Sequence, residues 1–350
     1  MNTPIRSLKP DELLAWLKQR SLPAFRAKQI QEWLNKRFAI QFEEMSNLPK
    51  ELREALASRF SPCSLQPQQV FRADDKTVKW LSALADDATI ETVLIRAPQR
   101  DTVCISTQVG CPVRCIFCES GRHGFVRNLK SWEIIDQVVL ASHEIGKLVD
   151  NIVVMGTGEP MENLDNLIPA LEKICEAERG FGLGARHITI STSGIPAGIR
   201  RLAEQGKPWN LALSLHATND ELRSSIIPDH HRHKLADIFA ACQYYREQTG
   251  RMLTFEYTLV DGLNDSEKNA LDLARLAHKM RAKVNLIPCN AGNSRCHSPK
   301  LEWSEHFLDI LVENGVQATL RRKKGDRIQA ACGQLRAKAI RSKGGQDEKK

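Results

Sequence analysis

With 350 residues, 42% of them hydrophobic, the chain is long enough for one large domain with an extension or for two domains. No run of about 18 apolar residues occurs, and the first twenty residues lack the apolar stretch of a secretory signal, so composition argues against a membrane span and against secretion. We therefore expect a cytoplasmic protein whose ten cysteines bind metal or act in redox chemistry rather than form structural disulfides.

The net charge of +8 is concentrated at one end of the chain. Residues 317–350 hold 11 Lys and Arg against 3 Asp and Glu, and the rest of the chain is balanced. Such a segment attracts phosphate groups through counterion release and is typical of nucleic-acid-binding proteins. A solvated basic tail has the same composition, so charge alone leaves both interpretations open.

Residues 1–90 have the pattern of a separate domain. Apolar residues at helical spacing predict helices in "DELLAWLKQR", "FRAKQIQEWLNKRF" and "PKELREALASRF". The stretch "TVKWLSALADDATIETVLIRA" then predicts a short β extension, with a hairpin through "ADDAT". Small basic helical domains often contact RNA, although helical domains without a ligand are commoner.

From about residue 100 onward, strands and helices alternate. The strand candidates are "TVCIST", "NIVVMG", "HITIST", "NLALSL", "TFEYTLV", "KVNLIP" and "QATLRR". The helix candidates between them are "SWEIIDQVVLASHEIG", "NLIPALEKICEAE", "AGIRRLAEQG", "LADIFAACQYYREQ", "SEKNALDLARLAHKM" and "WSEHFLDILVENG". This alternation predicts an α/β fold with a parallel sheet covered by helices, as a barrel or part of one.

Polar or glycine-rich segments follow five of these strands. They are the cysteine-rich segment after the first strand, then "GTGEP" (156–160), "STSG" (191–194), "SLH" (214–216) and "PCN" (288–290). Because the carboxyl ends of parallel strands meet at one end of a barrel, these segments predict a single rim. Each residue taken alone is more often a helix cap or turn residue, and Ser191 and Ser214 in particular could be caps.

The segment "CISTQVGCPVRCIFCESG" contains four cysteines, three of them spaced C-x3-C-x2-C as Cys111, Cys115 and Cys118. A structural zinc ion needs four ligands, and Cys104 or His123 could supply the fourth. A [4Fe–4S] cluster held by three cysteines instead keeps one iron open for a small ligand. The spacing favours the cluster, since zinc ribbons use two separated C-x2-C pairs and no second pair occurs.

C-x3-C-x2-C is the signature of radical S-adenosylmethionine (SAM) enzymes, and the chain resembles that superfamily. It resembles the RlmN/Cfr family more closely through "FRAKQIQEWL", "ETVLI", "CISTQVGCPVRCIFC", "GFVRNL", "GTGEP", "STSG", "LALSLHA" and "AACGQL", over about residues 20–340. The resemblance implies an RNA-contacting accessory domain over 1–90. It further implies a partial parallel (β/α)6 radical SAM barrel with a basic C-terminal segment over 91–340, and a disordered tail over 341–350.

The resemblance also implies a set of cofactor-binding residues. Cys111, Cys115 and Cys118 would hold the [4Fe–4S] cluster, whose open iron chelates SAM. The residues expected to contact SAM are Gly158, Glu159, Ser191, Ser214, Leu215, His216 and Asn290.

By the same resemblance, the enzyme methylates a ring carbon of adenine in RNA and uses two SAM molecules per turnover. A methyl group is first placed on Cys332, a deoxyadenosyl radical removes a hydrogen from it, and the resulting radical adds to the adenine carbon. Cys104 then forms a transient disulfide with Cys332 and releases the product, with Glu91 as proton acceptor. We expect carbon 2 rather than carbon 8, in 23S ribosomal RNA, transfer RNA or both, with an electron donor such as flavodoxin and a monomeric enzyme.

Three residues depart from the usual family pattern: Glu119 after the third cysteine, Thr157 in "GTGEP", and Cys289. A carboxylate at Glu119 would make the cluster's reduction potential more negative if it points inward, or it faces solvent. These changes leave the chemistry intact but put the RNA target in doubt. Two alternatives stay open: a radical SAM enzyme with another substrate, and a non-catalytic, zinc-stabilised RNA-binding protein.

Overall fold

The computed structural model describes residues 2–122, 124–227, 233–289 and 296–321. Its α-helices are α1 Pro10–Gln19, α2 Phe25–Asn35, α3 Lys50–Arg59, α4 Ser131–Ile145, α5 Leu164–Cys175, α6 Pro196–Ala203, α7 Asp220–Ile226, α8 Leu235–Thr249, α9 Glu267–Met280 and α10 Leu301–Glu313. Its strands are β1 Thr3–Pro4, β2 Phe60–Ser61, β3 Gln66–Arg72, β4 Val78–Ala83, β5 Thr89–Ala97, β6 Arg100–Cys104, β7 Gln108–Gly110, β8 Phe125–Asn128, β9 Asn151–Val154, β10 Ile188–Thr192, β11 Asn210–Ser214, β12 Leu253–Leu259, β13 Ala282–Pro288 and β14 Ala318–Leu320.

The main sheet has ten strands in the order β14-β13-β12-β11-β10-β9-β6-β5-β4-β3. The seven strands from β6 to β14 in this sheet pair in parallel, and each next strand along the chain is reached through at least one helix. Apolar strands with helical crossovers produce this arrangement, because both faces of a parallel sheet must be covered. The predicted partial (β/α)6 barrel is confirmed.

The sheet continues beyond β6 through three antiparallel strands. β4 and β5 form the predicted hairpin, with Lys79 opposite Val93 and Leu81 opposite Glu91, and β5 pairs with β6 so that Val93 lies opposite Cys104. Directly opposed residues project from the same face of a sheet, and so do residues two apart on one strand. Lys79, Glu91 and Cys104 therefore share one face, while Leu94 on the other face packs into the core beside α4.

The apolar interior falls into two main clusters. The larger one lies between the parallel strands and their helices and includes Val103, Ile152, Leu213 and Phe255. A second cluster is formed by the first three helices and their connections, with residues from Ile5 to Phe60. The helical N-terminal part therefore has a core of its own, as expected for a segment that contains three amphipathic helices.

A buried ion pair joins this helical part to the barrel. Nη1 of Arg6 lies 2.9 Å from Oδ1 of Asp136 on α4, and both side chains are almost wholly buried. The backbone N–H and the hydroxyl of Ser64 each donate to Oδ2 of Asp136 at 2.7 Å. One carboxylate of the barrel thus receives one hydrogen bond from Arg6 of the N-terminal part and two from Ser64 of the connecting segment.

Two elements near the rim were not predicted. The short helix α7 follows the "SLH" segment, and β7 and β8 form a small antiparallel pair around the cysteine-rich segment. Both are too short to show a clear hydrophobic period. Among the described residues, no helix has the length and apolar character needed to cross a membrane.

Candidate active site

Eight of the residues singled out by the motifs line one cavity at the carboxyl ends of the parallel strands. The cavity wall includes the cysteines of the loop between β7 and β8, the residues that follow β9, and residues at the ends of β10 and β11. Of the motif residues, the wall contains Cys111, Cys115, Cys118, Gly158, Glu159, Ser191, Ser214 and His216.

The segment that contains the cysteine loop, residues 111–118, is closed by a contact between Gly110 before it and Gly124 after it. β7 and β8 pair antiparallel, and a Cβ on Gly110, whose φ is +77°, would lie 1.8 Å from the carbonyl oxygen of Gly124. Only glycine allows this approach. Before the loop, Ser106 is held by Gln137 of α4, whose amide accepts from the Ser106 N–H at 2.7 Å and donates to its carbonyl at 2.9 Å.

The loop is also docked against the strand ends. The Ile116 N–H donates to the carbonyl of Ile226, at the end of α7, at 3.1 Å, and the Cys118 N–H donates to the Cys115 carbonyl at 3.0 Å. The Phe117 ring packs edge-on against the imidazole of His216 with centroids 4.8 Å apart. These contacts hold the loop over the cavity.

Two thiols of the loop, those of Cys111 and Cys115, are hard to ionise when no metal is bound. Burial, and next the neighbouring Cys118, raises the pKa of Cys111 to about 12. Burial raises the pKa of Cys115 well above its usual range, and both other thiols add to the shift. A bound metal reverses this preference, because a coordinating thiol gives up its proton. Three adjacent cysteines, of which Cys111 and Cys115 are costly to ionise without metal, fit an iron–sulfur cluster.

A site for a single metal ion, such as zinc, does not fit the described residues. Within the described ranges, no three His, Cys, Asp or Glu side chains converge closely enough to hold one metal ion. In a [4Fe–4S] cluster each cysteine binds a different iron, so its thiols stand further apart. Of the fourth ligands considered for zinc, His123 lies outside the described residues, and Cys104 lies in β6 and is not part of the described cavity wall.

Gly158 and Glu159 form a tight turn after β9. A Cβ on Gly158, whose φ is +117°, would lie 2.7 Å from Cβ of Gln108, so no other residue fits. The Glu159 carboxylate is buried and accepts from the Met161 N–H at 3.1 Å, the Thr192 hydroxyl at 2.6 Å and the Ser193 N–H at 2.7 Å. Burial raises the pKa of Glu159 while these hydrogen bonds oppose the shift. A carboxylate has about four acceptor positions, so one is left for a ligand.

Ser191 and Ser214 are not helix caps, so that interpretation was wrong. Both lie in strands, and their hydroxyl oxygens are 3.1 Å apart across β10 and β11. Successive strand residues alternate between core and cavity, which is why Ser191 faces the cavity while Ile190 lies in the core. The two hydroxyls provide one paired polar contact on the cavity wall.

Leu215 and His216 differ in their surroundings. Leu215 is fully buried in the apolar core, and the described cavity wall does not include its side chain, although its backbone connects two wall residues. His216 has a φ of +54° and faces the cavity, and its Nδ1 accepts from the Thr258 N–H at 3.0 Å. Burial, and next the Arg223 guanidinium, lowers the pKa of His216 to about 3. Its ring is therefore neutral, with Nε2 as the donor.

Glu91 and Cys104 lie on the same face of the sheet but not in the described cavity wall. The Glu91 carboxylate is buried and its Oε2 lies 3.3 Å from Nζ of Lys79, which is completely buried. No disulfide joins two of the described cysteines. Cys332 and Asn290 lie outside the described residues, so the predicted pairing and that SAM contact stay predictions.

Two of the three departures from the family pattern, Glu119 and Cys289, lie on the cavity wall. Glu119 is buried on the cavity wall and pairs with Arg122 at 3.1 Å, so of the two alternatives left open the inward-facing one is the one found. Thr157 is buried, with its hydroxyl 3.5 Å from that of Ser120. Cys289 is buried and forms part of the wall.

Several wall residues were missed from the sequence. Glu256 and Thr258 of β12 face the cavity, and Arg321 after β14 lies at its edge. The alternation in "TFEYTLV" was a usable signal, because it puts a charged residue on one face of an otherwise apolar strand. Arg223 is buried and donates to the carbonyls of Ser193 and Leu215. It gave no sequence signal, since helical arginines are usually exposed.

The barrel and the cysteine loop define a radical SAM enzyme. Residues 105–274 match the model of the radical SAM superfamily, and residues 4–61 match the model of the ribosomal RNA large subunit methyltransferase N-terminal domain. A crystal structure of a radical SAM methyltransferase from Sphaerobacter thermophilus is 42% identical and superposes with a TM-score of 0.88, covering 95% of this chain and 98% of that one.

Comparison with related proteins identifies the family within the radical SAM enzymes. The chain is 42% identical to a probable dual-specificity RNA methyltransferase RlmN from Symbiobacterium thermophilum, over 97% of this chain and 92% of that protein. It is 44% identical to the protein of the same description from Lachnoclostridium phytofermentans, over 95% and 94% of the two chains. The chain belongs to the RlmN family of radical SAM RNA methyltransferases.

Proposed function

We propose that this enzyme methylates a ring carbon of adenine in RNA, carbon 2 rather than carbon 8, in 23S ribosomal RNA, transfer RNA or both. The observation that carries the proposal is the convergence of three cysteine thiols and the paired serines on one cavity at the barrel rim. The descriptions of the relatives as dual-specificity RNA methyltransferases support RNA as the substrate.

The residues of the cavity divide between two cofactors. Cys111, Cys115 and Cys118 would hold the cluster. When bound, the cluster and SAM together supply a 5′-deoxyadenosyl radical. For SAM, the remaining acceptor position of Glu159, the two hydroxyls of Ser191 and Ser214, the His216 Nε2–H and Asn290 would provide polar contacts, and Gly158 lets the backbone come close.

Three further residues would handle the methyl group and the proton. Cys332 would carry the methyl group as S-methylcysteine, which accounts for two SAM molecules per turnover. Cys104 would release the product by forming a transient disulfide with Cys332. Its position on the same sheet face as Glu91 supports a shared task, because the register of β5 and β6 puts both side chains on one side. Glu91 would accept the proton, and its Oε2 lies 3.3 Å from Nζ of the buried Lys79.

We also propose the domain division expected from the sequence: an RNA-contacting accessory domain over 1–90, the catalytic barrel with the Cys332 segment over 91–340, and a tail over 341–350. Three guanidiniums stack on aromatic rings in the first domain, Arg20 on Trp16 at 4.2 Å, Arg26 on Phe25 at 4.8 Å, and Arg37 on Trp33 at 4.4 Å. Arginine and aromatic side chains are the groups that contact phosphates and unstacked bases, and of these three rings that of Phe25 is exposed.

The remaining partners follow from the chemistry. Cleavage of SAM requires an electron, so we propose a reductant such as flavodoxin. We further propose that the enzyme works as a monomer in the cytoplasm, where its RNA substrates are found.

The proposal is tested by anaerobic reconstitution followed by RNA mass mapping. We expect about four irons per chain, SAM cleavage under reduction, and a methylated adenine that disappears from 23S ribosomal RNA or transfer RNA when the gene is deleted. Stoichiometric zinc without SAM cleavage would support the zinc-stabilised RNA-binding protein instead. SAM cleavage with no change in either RNA would show a radical SAM enzyme with another substrate.

A further inference from the structure

A row of polar side chains crosses four neighbouring strands of the barrel on one face, with Ser191 diagonal to Ser214 because its own register partner is Ala212. Ser191 and Ser214 are 3.1 Å apart through their hydroxyl oxygens, Ser214 is the register partner of Glu256, and Glu256 is the register partner of Asn285. Register partners project from the same face, so the row continues from the two serines to the carboxylate. The cavity wall includes Ser191, Ser214 and Glu256.

The Glu256 carboxylate is fixed at one oxygen only. Its Oε2 accepts from Nδ2 of Asn285 at 2.7 Å, and the hydroxyl of Thr319 donates to Oδ1 of that asparagine at 3.2 Å, which sets the orientation of the amide. Among the described residues, none donates a hydrogen bond to Oε1 of Glu256. Glu256 is only 6% exposed. A buried carboxylate oxygen without a hydrogen bond lowers the stability of the fold, unless a bound ligand donates a hydrogen bond to it. Consistent with this cost, burial raises the pKa of Glu256, and Asn285 and Arg321 oppose the shift.

We propose that Glu256 positions SAM by accepting hydrogen bonds from the hydroxyls of its ribose. The inference rests on the proposed function only in that SAM occupies this cavity. SAM offers three kinds of hydrogen-bond donor: the α-ammonium, the ribose hydroxyls and the adenine amine. The amino-acid end must reach the cysteine loop, so the ribose is the group that follows it along the wall past the serines.

A carboxylate suits a ribose because two neighbouring hydroxyls can both donate to it. Dinucleotide-binding folds use an acidic side chain on ribose hydroxyls in the same way. The alternative is that Glu256 only braces Asn285 and β13. That role would not depend on the hydroxyls of SAM, which separates the two explanations.

The experiment uses the reconstituted full-length enzyme without RNA and measures the dissociation constants of SAM and of its 2′-deoxy and 3′-deoxy analogues by anaerobic calorimetry. We expect the wild type to bind at least one analogue about tenfold to a hundredfold more weakly than SAM, as for a lost hydrogen bond to a charged group. In Glu256→Gln the Asn285 amide would hold the new carbonyl oxygen, so the new NH2 group would face the cavity. This variant should therefore bind SAM about tenfold more weakly than the wild type does. It should also lose most of the preference for SAM over the analogue that the wild type binds weakly.

Two controls keep the result interpretable. Glu172→Gln changes an exposed carboxylate on α5 and should match the wild type in the dissociation constants of SAM and of both analogues. Asn285→Ala removes the brace but keeps the carboxylate, so it should keep the preference for SAM over the analogue. Equal binding of SAM and both analogues by the wild type overturns the inference, even if Glu256→Gln does not fold. An unchanged preference in a folded Glu256→Gln also overturns it. Failure of the enzyme to bind SAM at all would overturn the proposed function as well.

Discussion

Arg6 and Asp136, 130 residues apart, form a buried ion pair with Nη1 of Arg6 2.9 Å from Oδ1 of Asp136. Removing one partner of such a pair leaves the other charge buried, so we expect Arg6→Met to lower the free energy of unfolding by about 3–5 kcal/mol. Anaerobic denaturant titration measures the change. The control is Arg201→Met, which breaks the solvent-exposed pair with Asp165 and should cost less than about 1 kcal/mol. Equal effects of the two substitutions would show that burial adds nothing to the Arg6 pair.

Cys115 and Cys289 both lie on the cavity wall, but only Cys115 belongs to the cysteine loop. We expect Cys115→Ala to lose most of its iron and its SAM cleavage after reconstitution, because a cluster held by two cysteines is poorly retained. Cys289→Ala should keep about four irons per chain, the full complement of a [4Fe–4S] cluster. Iron analysis and the visible absorption of the cluster provide the measurement. Loss of iron in Cys289→Ala alone would mean that the ligands are assigned wrongly.

Cys104 is the proposed resolving thiol, and its removal should stop the reaction after the methyl carbon has joined the base. We expect Cys104→Ala to accumulate a covalent protein–RNA adduct, seen as a shifted band that ribonuclease treatment collapses. Cys332→Ala should bind the cluster normally but carry no methyl group on protein. The control Cys175→Ala changes a half-buried cysteine of α5 and should turn over without an adduct. Normal turnover by Cys104→Ala would rule out the resolution step.

His216 should make the fold sensitive to acid. Its pKa is lowered from 6.5 to about 3 by burial, so between these values the unfolded chain binds a proton that the folded protein does not. Stability from this residue is complete above pH 6.5 and falls by up to about 1.4 kcal/mol for each pH unit below it. His216→Asn tolerates the positive φ and keeps an acceptor near Nδ1, but it does not titrate. Denaturant titrations at several values from pH 7 to pH 5 give the free energy of unfolding at each pH. This free energy should fall less steeply with pH in the variant than in the wild type, and an identical fall would contradict the prediction.

Gly158 should not tolerate even one methyl group. In Gly158→Ala the new Cβ would lie 2.7 Å from Cβ of Gln108 and from Oγ1 of Thr107, next to the cavity. We expect a loss of SAM affinity and a drop of about 2–4 kcal/mol in the free energy of unfolding, since strain and overlap add. Gly206→Ala is a matched control, with a φ of +62° and nothing within 4 Å of the new Cβ, and should cost only about 1 kcal/mol. Calorimetric SAM titration and denaturant titration separate the two effects.

Long periodic segments made the fold predictable, whereas contacts between distant segments did not follow from the pattern. The strand "TFEYTLV" is predictable, and its alternation puts Glu256 on the polar face, but the neighbours of Glu256, Ser214 and Asn285, depend on the register with β11 and β13, which periodicity does not reveal. The cysteine spacing identified the loop and its chemistry. The orientation of Glu119 and the burial of Lys79 beside Glu91 depended on tertiary packing, and local sequence favours an exposed position for such charges.

The attachment of the first helices to α4 limits which truncated forms of the enzyme can be expected to fold. Asp136, which receives Arg6 and Ser64, is adjacent in the chain to Gln137, which holds Ser106 at the entrance to the cysteine loop. A fragment that begins after residue 64 would leave a bare carboxylate inside the protein, one residue from the amide that anchors this loop. The N-terminal segment is thus a structural part of the catalytic half rather than a removable appendage, and iron loading of a truncated chain is expected to be impaired even before any RNA is added.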